Sequence, residues 1–387
     1  MSAKTNTVKV KKRVLVFAGT RPEIIKMASV CRALSASTTL EPFFCYTGQH
    51  RELAKPFLDF FELVPQAELD LMRPGQSLGQ LTARASEQMD RLFHACAGDG
   101  GFAATMVQGD TTTAFAGALA SFYHKVPVGH VEAGLRTSTI TEPFPEELNR
   151  RLITRVANFH FAPTATASEH LRKENVQADD ILETGNTGID ALLWTRTKVR
   201  EPQSDGLKRV IGTEGVVPKP LVLVTAHRRE NIGAPLERIT SAIKKVASQY
   251  RSHQFILPVH KNPAVEKIIY STLGTEANIH LLPPLDYQDL VWVMNQCVLI
   301  LSDSGGIQEE APSLNKPVLV LRNETERPEA VDYGTSILVG SDIDSIFKTA
   351  SAFLSGSRKL NLPNQCVSPY GDGHAAERIV SFLEKRL

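Results

Sequence analysis

Short apolar runs of strand length recur along this chain of 387 residues, each closing on a turn or charged group and followed by helical spacing. The first is Arg13 to Ala18, RVLVFA. It is too uniformly apolar for a half-exposed strand and suits a parallel strand covered on both faces. Gly19-Thr20-Arg21-Pro22-Glu23 ends it. Pro22 fits a first helical position, and Ile24, Ile25, Ala28, Cys31 and Leu34 then fall on one helical face. Strands are expected again at Pro42–Thr47, Ala103–Gln108, Val126–Val131, His160–Ala162 and Ile181–Thr184. Between them lie an irregular stretch (Leu63–Ser77) and helices over Leu78–Ala97, from about Thr164, and through Asp190–Lys198. That alternation predicts a right-handed, mostly parallel sheet wrapped on both faces.

The rhythm breaks once. Residues 199–219, REPQSDGLKRVIGTEGVVPKP, are rich in Gly, Pro and charge and read as a connection. Strands then resume at Leu221–Thr225, Gln254–Pro258, Asn278–Leu282, Val298–Leu301, Val318–Leu321 and Ser336–Val339. Helices are expected at about 234–249, 263–272, 286–295, 306–314 and 342–355. The fold class is therefore α/β, with two Rossmann-like doubly wound domains. Residues 13–199 form the first, 200–219 a linker and 220–370 the second. Residues 371–387 end in an amphipathic helix that could pack on either.

Bulk properties exclude several roles. The net charge of +1 draws the molecule neither to nucleic acid nor to an anionic membrane, so any bound anion must be held by local groups. No apolar run is long enough for a membrane span. Five scattered cysteines without CxxC or Cys/His spacing argue against a disulfide framework or a zinc site and fit a reducing cytoplasm.

The densest chemistry lies between Met106 and Arg150. One apolar run stops at Asp110, a second at Glu132, and Glu146-Glu147 opens a helix. The carboxyl edge of an open α/β sheet is where ligands bind. A single acid there is most simply a helix cap, but three in one short stretch point to a shared site. Bringing carboxylates together should raise the pKa of at least one. At the first strand end, Arg21 and Lys26 beside a helix start make an anion pocket.

The second domain adds a complementary set. One strand runs into Ala226-His227-Arg228, another into Ser302-Asp303-Ser304-Gly305-Gly306. The two glycines allow close backbone approach to a ligand, Ser304 adds a hydroxyl, and Glu310 lies about a turn into the helix, placed to reach a ribose diol. Neither GxGxxG nor GxxxxGK[ST] occurs, so NAD and P-loop readings are unsupported. Gln49, His50 and Gln76 in first-domain loops, with Arg228 and His260 in the second, carry donors suited to phosphates and sugar hydroxyls.

Taken in order, GTRPE at 19–23, QHRE at 49–52, GDTTT at 109–113, GHVEAGLRT at 129–137, PEELNR at 145–150 and GNTGIDAL at 185–192 form a recognisable set. TAHRREN at 225–231, PVHKNP at 258–263, SDSGGIQEEAPSL at 302–314, ERPEAV at 326–331 and PYGDG at 369–373 extend it. This series resembles the bacterial non-hydrolysing UDP-N-acetylglucosamine 2-epimerases, from about residue 13 onward. Two turns depart slightly: AGTRPE stands for the more usual FGTRPE, and SPYGDG for NPYGDG.

The resemblance implies a glycosyltransferase-B architecture with an interdomain active-site cleft, in a cytoplasmic homodimer that supplies UDP-N-acetylmannosamine for surface polysaccharide. It also implies a reaction without cofactor or obligatory metal. The C2 proton is not next to a carbonyl, so the family first breaks the C1–O bond, giving UDP and 2-acetamidoglucal. It then re-adds UDP with the proton delivered to the other face of C2. Asp110, Glu132 and Glu146 would serve as acid, base and charge stabiliser. Arg21, His227 and the Ser304–Gly306 turn would hold the leaving diphosphate. Residues matching Gln49, His50, Gln76, Arg228 and His260 hold a second, activating UDP-N-acetylglucosamine in such enzymes. Hydrolysing epimerases, epimerases of UDP-2,3-diacetamido sugars, retaining glycosyltransferases and non-catalytic UDP-sugar sensors are the alternatives.

Overall fold

The computed structural model describes residues 10–48, 51–211, 219–325, 327–360 and 368–387. The chain forms two compact units, one of residues up to Ala191 together with Gly371–Leu387, the other Leu192–Tyr370. The expectation of two α/β domains is met.

The first unit holds β1 (Lys12–Ala18), β2 (Leu40–Tyr46), β3 (Ala67–Glu68), β4 (Ala104–Gln108), β5 (Val128–Val131), β6 (Phe159–Ala162) and β7 (Ile181–Glu183). All pair in parallel, in the order β3-β2-β1-β4-β5-β6-β7. Val14, Leu15, Val16 and Phe17 are buried, as a central strand covered on both faces requires. After β3 the chain returns across β1 to lay down β4 on its other side. At such a reversal neighbouring loops leave in opposite directions and open a crevice at the carboxyl ends of β1 and β4.

Local signals fix the helices. Helix Arg21–Ala36 starts with a reciprocal Thr20–Glu23 capping box and helix Leu78–Ala97 with Ser77–Gln80. Each such cap contributes about 1 kcal/mol. Helix Ala375–Arg386 belongs to the first unit: Ile379, Val380 and Leu383 are buried with Val14, Val16, Ile24 and Phe161. Its free N-terminus is capped from outside, because Asp190 accepts the N–H groups of Ala375 (3.2 Å) and Ala376 (2.8 Å).

The second unit repeats the plan with β8 (Leu221–Thr225), β9 (Gln254–Pro258), β10 (Ile279–Leu282), β11 (Cys297–Ser302), β12 (Val318–Val320) and β13 (Ser336–Leu338). Their order, β10-β9-β8-β11-β12-β13, is the Rossmann order, reversing between β8 and β11.

Three local expectations need correction. The connecting stretch contains a helix, Asp205–Ile211. Leu207 and Ile211 are buried, and the Gln203 and Ser204 N–H groups bond the Asp289 carboxylate at 2.6 and 2.9 Å. Apolar residues four apart outweighed the surrounding Gly, Pro and charge. The irregular stretch contains β3, which pairs Ala67 with Cys45 and Glu68 with Tyr46. A helix not expected from sequence, Arg51–Phe60, carries Pro56 inside it, a residue that ordinarily argues against a helix. Among the described residues, no helix is long and apolar enough to cross a membrane.

Candidate active site

In the first unit the site residues cluster at the carboxyl ends of β1, β4 and β5. Gly109 follows β4 with φ of +71°, and its N–H bonds the Val131 carbonyl, locking the ends of β4 and β5 together. Beneath this turn lies His130, wholly buried, whose Nε2–H donates to the Gly109 carbonyl at 2.8 Å. Burial pulls the His130 pKa down to about 3, so the ring is neutral and braces the turn.

Glu132 sits just past β5 at φ +65°, a left-handed conformation that costs a non-glycine residue roughly 1–3 kcal/mol. Its carboxylate is held on both oxygens: Lys26 Nζ lies 2.5 Å from Oε1, and Gln108 Nε2 donates to Oε2. Lys26 is therefore engaged with an acid, while Arg21 at the helix start is exposed, its guanidinium 5.8 Å from the centre of the Phe57 ring.

Asp110 is not a helix cap. That role falls to Thr111, whose hydroxyl accepts from the Ala114 N–H. The Asp110 carboxylate instead takes the Arg150 guanidinium through Nε at 2.9 Å and Nη2 at 2.8 Å, and Asn149 Nδ2 donates to its carbonyl. These contacts bring the start of helix Glu146–Val156 against the β4 turn. The paired acids there separate sharply. Glu147 is wholly buried and fully engaged, accepting from Arg150 (2.9 Å), Arg151 (2.8 Å) and the Thr137 N–H (3.2 Å). Glu146 has a buried Oε2 with no hydrogen-bond partner among the described residues. A buried acceptor left open costs about 1–3 kcal/mol and marks a place where a ligand can supply the donor. The expected crowding of carboxylates takes another form: Lys26 and Arg150 stand against two of the three.

In the second unit the matching edge lies between β8 and β11. Asp303, fully buried, gathers three donors on Oδ2: the N–H groups of His227 (2.9 Å) and Arg228 (2.8 Å), and Asn231 Nδ2 (3.0 Å). Burial lowers the His227 pKa, while the Asp303 charge opposes that shift. The His227 ring stacks on His260, centroids 5.5 Å apart and planes within 7°. A predicted catalytic residue and a predicted regulatory one are thus in direct contact. Arg228 has a buried Nε with no hydrogen-bond partner among the described residues.

The two glycines differ in kind. A Cβ on Gly305 would come within 2.8 Å of the Arg327 guanidinium carbon, whereas one on Gly306 would meet only the Ser304 hydroxyl, at 4.0 Å. Gly305 admits Arg327, which also bonds Glu309 at 2.8 Å, and exposed Gly306 leaves open backbone. Ser304 makes no cap with its side chain. The Tyr287 hydroxyl is buried near Glu310, and burial, with the charge of that carboxylate, raises its pKa. Gln76 is engaged within its own loop, accepting from the Arg73 N–H and from Arg84. Gln49 and His50 lie outside the described residues.

Gln108, Arg150, Asp303, Arg327 and Tyr287 escaped the sequence reading as members of these sites. Arg150 closes a motif that had been singled out for its acids, and Asp303 adjoins Ser304. The signal was present, but residue type alone did not reveal which carboxylate organises a loop.

The family model for UDP-N-acetylglucosamine 2-epimerase matches residues 32–384. The chain belongs to the UDP-N-acetylglucosamine 2-epimerase family. The family member from Yersinia pestis is 44% identical over 375 residues, covering 96% of this chain and 98% of that one. The crystal structure of UDP-GlcNAc 2-epimerase from Neisseria meningitidis, bound to UDP-GlcNAc, shares 41% identity at a TM-score of 0.82 and covers 96% of this chain and 100% of that chain. The Methanocaldococcus jannaschii UDP-GlcNAc 2-epimerase, solved with UDP-GlcNAc and UDP, matches at 30% identity and a TM-score of 0.75, covering 96% and 99%. The paired Rossmann-like units are the two-domain fold of this epimerase family.

Proposed function

We propose that this chain interconverts UDP-N-acetylglucosamine and UDP-N-acetylmannosamine without releasing free sugar. The first unit supplies the acid chemistry and the second holds the nucleotide. The C1–O bond breaks with its electron pair leaving on the UDP diphosphate. The C2 proton passes to a carboxylate, and a C1=C2 double bond forms. Re-addition of UDP at C1, with a proton delivered to the opposite face of C2, completes the inversion. The observation that carries this reading is the unequal environment of three acids at one strand edge. Glu132 is clamped by Lys26 and Gln108, Asp110 by Arg150, and Glu146 keeps a buried oxygen with no hydrogen-bond partner among the described residues. Such asymmetry gives the three acids different partners, as separate donor and acceptor roles require.

Arg21 and His227 neutralise the departing diphosphate, the Ser304–Gly306 turn offers it backbone N–H groups, and Glu310 takes the ribose hydroxyls. The same reading makes the chain a cytoplasmic homodimer in polysaccharide biosynthesis, with UDP-N-acetylglucosamine both substrate and activator. Incubation of UDP-N-acetylglucosamine in D2O tests it. Deuterium at C2 of both recovered UDP-sugars is expected, without build-up of free N-acetylmannosamine. Stoichiometric UDP and free N-acetylmannosamine would identify a hydrolysing enzyme instead, and unlabelled substrate a sensor.

A further inference from the structure

Away from these strand ends, helix Thr112–Tyr123 finishes at His124, twelve residues and about 18 Å beyond its start beside Asp110. The His124 Nε2 lies 2.7 Å from Asp90 Oδ1, and His94 Nε2 lies 3.7 Å from Asp90 Oδ2. Asp90 and His94 are one turn apart on helix Leu78–Ala97, so both face His124 from a single side. One ligand-capable atom from each residue falls within 4.8 Å of the others. The His124 ring is the fixed member: it stacks on Phe93 at 4.7 Å with planes within 12°, and only 21% of its side chain is exposed.

We propose that Asp90, His94 and His124 form a binding site for a zinc ion that ties the two helices together. Two imidazole nitrogens and a carboxylate suit zinc. Magnesium and calcium prefer oxygen shells. Three protein ligands leave the remaining tetrahedral position to water. Zinc takes the place of the proton shared between His124 and Asp90, and small side-chain rotations on the exposed His94 and Asp90 bring the three donors to equal distance. Phe93 pre-orients one ligand, which lowers the ordering cost of the site.

Calorimetric titration of the full chain with Zn2+ in a non-chelating buffer tests the proposal. Saturable binding of one ion per chain is expected, weakened at least about tenfold in His94→Ala, His124→Ala and Asp90→Asn. The isosteric Asp90→Asn guards against a loss caused by misfolding. His374→Ala is the control, since His374 also meets a carboxylate, Glu377 at 3.0 Å, but in a two-residue pair. It should bind zinc as wild type does. In thermal melts zinc should raise the Tm of wild type and of His374→Ala but not of the three site variants. Absence of one-to-one binding overturns the proposal, as does binding that survives the site variants or is lost equally in His374→Ala.

Discussion

His227 Nδ1 stands 3.6 Å from Asp303 Oδ1, while the other Asp303 oxygen takes the backbone N–H of the same histidine at 2.9 Å. The carboxylate thus orients both the loop and the ring. Asp303→Asn should lower kcat by roughly ten- to a hundredfold, the scale seen when the residue that orients a catalytic or metal-binding histidine is lost. UDP affinity should change far less. Removing the charge also removes the influence that holds the His227 pKa up against burial, so any rate limb that needs the protonated ring should move to lower pH. A pH–rate profile with an unmoved limb would reduce Asp303 to a loop brace.

Four carboxylates divide into two classes. Asp110→Asn, Glu132→Gln and Glu146→Gln should each cut kcat by about a hundredfold or more while sparing UDP binding. Glu147→Gln should act on stability instead, because it strips charge from a buried anion serving Arg150, Arg151 and the Thr137 N–H. Melting curves alongside turnover separate the classes. Full turnover in all three of the first set would leave those acids as structural features of the strand edge.

For the nucleotide, Glu310→Ala should weaken UDP itself, and Tyr287→Phe should weaken it less, because it leaves the carboxylate in place. Arg21→Ala should cost turnover more than ribose recognition. Gly305→Ala must displace Arg327, whereas Gly306→Ala makes only an ordinary 4.0 Å contact with the Ser304 hydroxyl among the described residues, so the first alone should lower Tm. Titration of UDP by calorimetry decides the binding claims. Unchanged affinity in Glu310→Ala would move the ribose contact elsewhere.

The stack of His227 on His260 gives the regulatory reading a physical route. Rate against UDP-N-acetylglucosamine should be sigmoidal, and pure UDP-N-acetylmannosamine should turn over poorly until a trace of UDP-N-acetylglucosamine is added. An effector acts only through its differential affinity for two states. His260→Ala and Gln49→Ala should therefore flatten the curve and lower the maximal rate without abolishing UDP binding. Hyperbolic kinetics on pure UDP-N-acetylmannosamine, with no lag, argue for a polar rim and no second site.

Acid should destabilise the fold through its buried histidines. Burial depresses His130 to about 3 and His160 to about 4 from 6.5. The unfolded chain therefore binds more protons than the folded one in this range, so stability is greatest above pH 6.5 and is lost as pH falls through the folded values. The His130 contribution is on the order of a few kcal/mol. Asp190 works in the opposite sense: burial raises it to about 6, favouring the folded form as pH falls from there towards 3.8. Urea melts between pH 7 and 4 should show a shallower acid loss in His130→Gln than in wild type. Equal slopes would place the acid sensitivity elsewhere.

Much of this was legible in the sequence. Strand runs such as RVLVFA and LVLVT are uniformly apolar because both faces are covered, and Thr20, Ser77 and Thr164 announce the helices they cap. The acids could be placed at strand ends, but Glu146 and Glu147 could not be told apart, since adjacent helical positions point about 100° apart and only packing says which is engaged. Neither could His124 be joined to His94 and Asp90. The first pair of that triad has local helical spacing, but the third ligand arrives from the far end of another helix.

Helix Ala375–Arg386 lies in the first unit although it is made after the whole of the second. During synthesis, the apolar seat around Val16, Ile24 and Phe161 therefore stays open while some 180 intervening residues emerge. The unit translated first is completed last. Closing so distant a contact is slow, so chaperone demand in the cell should follow the nascent amino-terminal unit, and clipping the chain near Tyr370 should unravel its beginning rather than its middle.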